Sequence, residues 1–324
     1  MKNNILQNLI KSILFIIVII SIGITLNILR QNTSNTISNE STDDNLCKGI
    51  GLFISNKDNN IHNHVINYSN IDDYSYKFMN TTGKDINCTL NVFVNGKQVE
   101  LLDTENNTLN NKYNFSINDG EDKNIPIKLN LDTLDTGSFI VNFNLILDSN
   151  DNAINKDEKV WITSTYNYIV GIENGDSTIT IPEAKNPILS EQENIIDAIP
   201  DSDQFIINYS KDEFLSNSIA KNYIETSPNQ IVEIPLIVGG NSSVNSLIYA
   251  TLNNKQTLIN NSDVLVCNLI KNKCTATNFK ITAPDTPGNY ELIFYSISNF
   301  DSENIDNVYN LKYSSSNRIT LVVN

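Results

Sequence analysis

Four cysteines are the residues of this chain whose chemistry depends most on spacing, and two fall in each half. None forms a C-x-x-C pair, which argues against a structural zinc site. Cys267 and Cys274 flank the polar turn 268–273, and we expect them to face each other across a hairpin. That geometry suits a disulfide outside the cell, with two packed thiols as the alternative. A bridge between Cys47 and Cys88, joining two strands, is a second candidate.

Two histidines, His62 and His64, are separated by one residue. On a β-strand both side chains would point to the same face, where two imidazoles suit a metal ion. The sequence offers no third ligand for such a site. The pattern therefore favours two solvent-facing histidines.

The loop 148–157 places the oxygen ligands Asp148, Asn150 and Asn152 at alternate positions, as a calcium loop does. Ala153 stands where such loops need glycine, and Lys159 stands where a bidentate carboxylate is expected. We therefore predict a solvated loop between two strands, with no metal or other cofactor.

Catalytic motifs are not recognisable in the sequence. It contains no nucleophile elbow, no phosphate-binding glycine-rich loop and no His-Glu zinc helix. Abundant carboxylates leave open a glycosidase pair, but nothing selects any two of them. The prediction is a protein that is not an enzyme.

Alternating apolar residues dominate the chain from Cys47 onward and predict β-strands. The clearest examples are the segments 125–131 and 139–147. No amphipathic helical pattern is available to cover such faces, so each has to pack against a second sheet. The predicted class is all-β, built from antiparallel sandwiches.

The second half of the chain repeats the order of the first. Residues 90–98 match 247–256, each a strand that runs into a polar hairpin turn, and 136–143 match 287–294. A final strand closes each half, at 160–170 and at 318–323. The offset of about 150 residues indicates duplication of a whole domain. We predict β-sandwich domains at 47–173 and 174–324.

The segments beginning at Gly137 and Gly288 share a Gly-x-Tyr/Phe strand start after a turn. This pattern resembles the late strands of bacterial immunoglobulin-like and fibronectin-like sandwiches. The resemblance implies two tandem immunoglobulin-like domains of a surface protein. It also implies that the Tyr290 hydroxyl bonds back to the backbone, a bond that Phe139 cannot make.

The N-terminal segment 12–29 is uncharged and strongly apolar. As a helix it would reach roughly 27 Å, close to the hydrocarbon thickness of a bilayer. Lys2 and Lys11 precede it, which predicts a cytoplasmic tail at 1–11 and an extracellular bulk. Residues 30–46 have the composition of a flexible linker. A cleaved signal peptide is the alternative to an uncleaved anchor.

The net charge of −15 argues against nucleic acid as a partner. The leading hypothesis is a single-pass cell-membrane protein, held through residues 12–29, that contacts an unidentified protein or cell-envelope glycan without catalysis. A second hypothesis is an accessory or assembly subunit of a membrane transport or secretion complex. The third is an extracellular hydrolase.

Overall fold

The computed structural model describes residues 49–55, 64–131, 137–147, 165–175, 179, 193–194, 205–208, 222–240, 244–299, 308 and 310–324. Lys48–Asn324 forms one compact unit. Strands dominate the described residues, which confirms the all-β class. No helix in these ranges is long and apolar enough to cross a bilayer. The predicted membrane span at 12–29 lies outside them.

The first half contains twelve strands among the described residues. They are β1 (Ile50–Ser55), β2 (Val65–Asn67), β3 (Ser75–Asn80), β4 (Ile86–Val94), β5 (Lys97–Gln98), β6 (Leu101–Asp103), β7 (Thr108–Asn110), β8 (Tyr113–Ile117), β9 (Asp122–Ile125), β10 (Ile127–Leu129), β11 (Phe139–Leu147) and β12 (Thr165–Glu173). A 3-10 helix at Tyr68–Asp73 is capped by the preceding Asn67, whose side chain accepts a hydrogen bond from the Ser69 N–H. This cap satisfies a helix-terminal donor.

The second half continues with eleven strands in the described part of the chain. They are β13 (Glu193–Asn194), β14 (Phe205–Ile207), β15 (Tyr223–Thr226), β16 (Ile231–Gly240), β17 (Val244–Leu252), β18 (Lys255–Thr257), β19 (Leu265–Leu269), β20 (Lys273–Thr282), β21 (Gly288–Ser298), β22 (Lys312–Ser315) and β23 (Ile319–Val323).

The two main sheets have the same strand order in both halves. The first half has a sheet β1-β3-β9 and a sheet β2-β12-β11-β4-β5, with β8 on β4. The second half has β14-β16-β20 and β15-β23-β21-β17-β18, with β19 on β17. In each half a short strand pairs in parallel with the last strand, β2 with β12 and β15 with β23. The halves differ beyond these strands, because the first has a further sheet β10-β6-β7, and in the second β13 pairs with β20 and β22 with β21. The two main sheets of each half therefore share one topology, as the sequence matches indicate.

Each half has its own apolar core between its two main sheets. The first core takes Phe78 from β3 and Leu90 and Phe143 from β4 and β11. The second takes Ile234 and Phe279 from β16 and β20, together with side chains of β17 and β21. In each half, side chains of the two main sheets thus pack into one core, as sheets packed face to face do.

The predicted hairpins at 90–98 and 247–256 are confirmed as β4-β5 and β17-β18. Both use two central residues with positive φ, Asn95 and Gly96 in the first and Asn253 and Asn254 in the second. Asparagine and glycine adopt this left-handed backbone readily, and such turns match the twist of the strands.

The same asparagine also ties each hairpin to the neighbouring strand. The Asn95 N–H and Oδ1 bond to the Ile140 carbonyl and N–H at 2.8 and 2.7 Å. Asn253 makes the same two bonds with Glu291, at the same distances. Equal contacts at matched positions extend the repeat from the sequence to the hydrogen-bonding pattern.

One predicted strand, at 125–131, is wrong as a continuous element. It divides at Pro126 into β9, which pairs with β3, and β10, which pairs with β6. Proline has no N–H to donate to a ladder, so the chain changes sheets there. The Pro126 carbonyl accepts hydrogen bonds from the Thr104 N–H and hydroxyl instead.

Candidate functional site

The predicted histidine pair does not lie on one strand. His64 precedes β2 and has a φ of +57°, a left-handed conformation that breaks the extended geometry. Its exposed ring lies 5.7 Å from that of Tyr168. His62 lies outside the described residues. His64 therefore lies outside an extended strand, and the interpretation of two solvent-facing histidines stays a prediction.

The calcium-like loop, with Asp148, Asn150 and Asn152, also lies outside the described residues, immediately after β11. Among residues whose positions are described, no group of three or more His, Cys, Asp or Glu side chains is arranged to hold a metal ion.

The hairpin predicted between Cys267 and Cys274 is wrong. Cys267 lies on β19, which pairs with β17, whereas Cys274 lies on β20, which pairs with β16 in the opposite sheet. The turn between them carries the chain across the sandwich, so the two strands do not face each other. No disulfide joins these buried side chains. Burial raises the pKa of the Cys267 thiol to about 12. For the Cys47–Cys88 pair, Cys47 lies outside the described residues.

The tyrosine implied by the sandwich resemblance behaves as expected. The Tyr290 hydroxyl donates a hydrogen bond of 2.8 Å to the Thr286 carbonyl. This bond pins the start of β21 to the preceding turn.

The two halves are joined by a buried layer that the sequence analysis does not predict. We call it the central layer. Most of its side chains lie on the faces of β4, β11, β17 and β21 that point away from the two cores, and they form two clusters that both pack against Ile169 and Leu311. Its buried apolar members are Phe93, Ile140, Ile146, Ile179, Tyr249, Leu247, Val264, Ile293, Tyr295 and Ile297.

Aromatic rings form the middle of the central layer. The Phe93 ring of the first half lies 4.6 Å from the Tyr249 ring and 6.0 Å from the Tyr295 ring of the second. Tyr249 and Tyr295 stack at 5.3 Å. Pairs at such distances contribute about 0.5–1.5 kcal/mol each beyond their area burial. Buried aromatic rings from both halves are thus in contact.

Polar groups are interleaved with these rings. The Asn142 Nδ2 group donates to the Tyr249 hydroxyl at 2.7 Å and to Asn144 Oδ1 at 2.8 Å. Burial raises the pKa of Tyr249 and of Tyr295 well above the ordinary tyrosine value, so both hydroxyls stay protonated. The Asn142 to Tyr249 bond joins the two halves directly.

Asn91 lies beside this network, because it is the cross-strand partner of Asn144. Its side chain is fully buried, and neither amide atom has a hydrogen-bond partner among the described residues. A buried amide without partners is unfavourable by about 1–3 kcal/mol. Hydrogen bonding of buried polar groups is therefore less complete in the central layer than in either core.

A reciprocal glutamine pair closes one edge of the central layer. The Gln98 N–H donates to Gln256 Oε1, and the Gln256 N–H donates to Gln98 Oε1, both at 2.7 Å. Each Nε2 group then reaches the other half's turn, at the Asn254 carbonyl and the Gly96 carbonyl. Because the two residues occupy matched positions, the contact has two-fold character.

A buried ion pair lies elsewhere in the layer. Arg318 Nη1 lies 3.3 Å from Glu291 Oε2, and Arg318 Nη2 donates to the Leu147 carbonyl of the first half at 2.6 Å. Less than a tenth of either side chain is exposed. Burial raises the pKa of Glu291 to about 7, and the Arg318 charge acts in the opposite direction.

The sequence did carry a signal for this layer. The nine residues of β11 are all buried, and Ile140 and Ile146 lie on the face opposite to the first core. A strand with apolar side chains on both faces is typical of burial on both sides. An interpretation that considers only the core-facing side of β11 therefore misses the central layer.

Comparisons with known proteins return only distant structural likenesses. No protein-family model and no curated protein sequence matches the chain. A PapD-like domain of human CEP192 is 11% identical, with 43% of this chain and 98% of that one covered and a TM-score of 0.23. The complex of the Salmonella enterica SafA pilin with the SafB chaperone is 9% identical, with 88% and 100% covered and a TM-score of 0.24.

A third solved structure, CBD12 from CALX1.2, is 8% identical, with 77% of this chain and 92% of that one covered and a TM-score of 0.22. Scores and identities at this level carry no argument about what the chain does.

Proposed function

We propose that this chain is a membrane-anchored, extracytoplasmic protein with a non-enzymatic binding or structural role at the cell envelope. Two tandem immunoglobulin-like domains, derived from one ancestral unit, would contact a protein or a glycan. The central layer is the observation that carries the proposal.

A buried layer between two sandwiches limits their relative motion. Two domains on a simple linker move independently by default, unless a large apolar interface joins them. Here aromatic contacts and the Gln98–Gln256 pair span the boundary. Such a pair of domains presents its surface loops in one fixed relation, which suits a protein that holds a partner or a spacing.

The charge supports a restricted set of partners. With a net charge of −15, the protein repels polyanions at long range. A neutral glycan or a protein surface with basic residues is compatible with that field. Raising the salt concentration should weaken binding to a basic protein partner and leave binding to a neutral glycan nearly unchanged.

Location and binding are testable on the full chain in separate steps. Protease added outside intact cells should release a fragment containing the two sandwiches, and the remainder should stay with the membrane. Replacing the segment 12–29 by an unrelated membrane span should preserve function. Loss of function would favour the accessory-subunit hypothesis, and protection from external protease would contradict the proposed location.

Binding is measured with the purified full chain in detergent against isolated cell-wall glycan and against envelope proteins. We expect retention on one of the two. Retention on neither would contradict a binding role and leave the structural one. Hydrolysis of the glycan during the assay would instead support the hydrolase hypothesis.

A further inference from the structure

Glu291 and Arg318 form a buried ion pair in the central layer. Both belong to the second half, and Arg318 also contacts the first half. Glu291 lies on β21, on the face that carries Ile293 and Tyr295 toward the other half. Arg318 immediately precedes β23 and donates to the Leu147 carbonyl at the end of β11. Separation of the halves would therefore expose the carboxylate, the guanidinium and the carbonyl together.

The negative charge of the Glu291 carboxylate is poorly compensated in its buried position. Within the described residues, neither of its oxygens accepts a hydrogen bond, and Arg318 is its ion-pair partner at 3.3 Å. A buried carboxylate needs hydrogen-bond donors as well as an opposite charge to be stable in its ionised form. With such incomplete compensation, the neutral form is favoured in the packed state.

Other titratable groups around Glu291 do not compete with it near neutrality. Tyr249, Tyr295 and Tyr313 lie in or against the same layer, and burial raises the pKa of each. From the first half, β4 and β11 present uncharged side chains to the layer. These are Thr89, Asn91, Phe93, Ile140, Asn142, Asn144 and Ile146.

We propose that Glu291, Arg318 and the Leu147 carbonyl form a latch between the halves that holds more firmly in acid than in alkaline medium. Closing the layer buries Glu291 and favours uptake of one proton, and opening releases that proton to water. By linkage, lowering the pH favours the closed form, until the pH falls below the ordinary value of an exposed glutamate. Raising the pH through neutrality favours opening. This device goes beyond the proposed function and does not depend on the anchor.

Hydrogen exchange on the full chain tests the latch. The N–H groups of Gln98 and Gln256 donate across the boundary, so their protection reports separation of the halves. After correction for intrinsic exchange, their opening constants should rise on the order of tenfold to a hundredfold between pH 5.5 and pH 8. Amides of core strand residues such as Val92 should not follow this change.

Substitution at Glu291 identifies the responsible group. Glu291→Gln should remove the pH dependence at the two glutamine amides. Glu233→Gln is the matched control, since Glu233 forms an exposed pair with Lys280, and it should leave the dependence unchanged. Equal protection of the wild type at both pH values, or a pH dependence that persists in Glu291→Gln, would overturn the proposal.

A second variant covers the case in which Glu291→Gln does not fold. The double substitution Glu291→Leu with Arg318→Leu removes both buried charges together, which proteins often tolerate. Its glutamine amides should be protected equally at pH 5.5 and pH 8. A remaining pH dependence in this variant would also overturn the latch.

Discussion

The two cores and the central layer are built from opposite faces of the same strands, yet their chemistry differs. On β11 the core face carries Val141, Phe143 and Leu145, whereas the opposite face carries Asn142 and Asn144 between two isoleucines. Both faces are buried. The apolar faces fill the two cores, and the mixed face joins the two halves through hydrogen bonds that require particular partners.

The largest contrast should appear between two buried phenylalanines. Phe143→Ala removes a ring packed 5.3 Å from Tyr76 in the first core and should lower the free energy of unfolding by about 3–5 kcal/mol. Phe93→Ala, in the central layer, should mainly uncouple the halves, so that urea unfolding becomes two transitions. Circular dichroism against urea measures both. A single transition for Phe93→Ala, with a loss as large as that of Phe143→Ala, would make the layer a third core.

The reciprocal glutamines offer a sharper test of coupling across the boundary. Gln98→Ala should destabilise the protein by about 2 kcal/mol, because the Gln256 N–H loses its acceptor. Gln256→Ala should destabilise the protein by about the same amount. The double variant should be destabilised by less than the sum of the two single effects. A double-mutant cycle by urea unfolding measures this. Strict additivity would show that the two side chains act independently.

Substitution at Asn91 should stabilise the protein, in contrast to the substitutions above. Asn91→Leu replaces a buried amide without described partners by an apolar side chain of similar size, and should stabilise the protein by about 1–2 kcal/mol. The same substitution at Asn142, which bonds to Tyr249, should destabilise it. Thermal unfolding of the two variants compares them. A destabilised Asn91→Leu would mean that this amide is hydrogen-bonded.

The smallest expected effect concerns a feature outside the layer. Tyr290→Phe removes the hydroxyl that donates to the Thr286 carbonyl and should lower the free energy of unfolding by about 1 kcal/mol. Phe139 starts the matched strand in the first half and lacks that hydroxyl. A conservative Phe139→Leu should therefore change packing alone. No loss in Tyr290→Phe would show that the turn is held by its backbone.

Local patterns were sufficient to predict much of the fold. Alternation predicted β11, and the Asn-Gly and Asn-Asn turns predicted both hairpins, since these signals depend on neighbours along the chain. The pattern failed at Pro126, where one apolar run spans two strands in different sheets. It failed again at Cys267 and Cys274, because a short turn looks the same whether it joins strands of one sheet or crosses between two.

The sequence by itself determined the all-β class and indicated a repeat, because strand periodicity and turn chemistry are local properties. The hydrogen bond of Tyr290 followed from the resemblance to immunoglobulin-like sandwiches. Only the tertiary structure decided which faces meet. The Gln98–Gln256 pair joins residues 158 positions apart, and Arg318 reaches the Leu147 carbonyl across 171. Hydrogen bonds between such distant residues depend on how two finished sheets pack, and side-chain periodicity does not encode that choice.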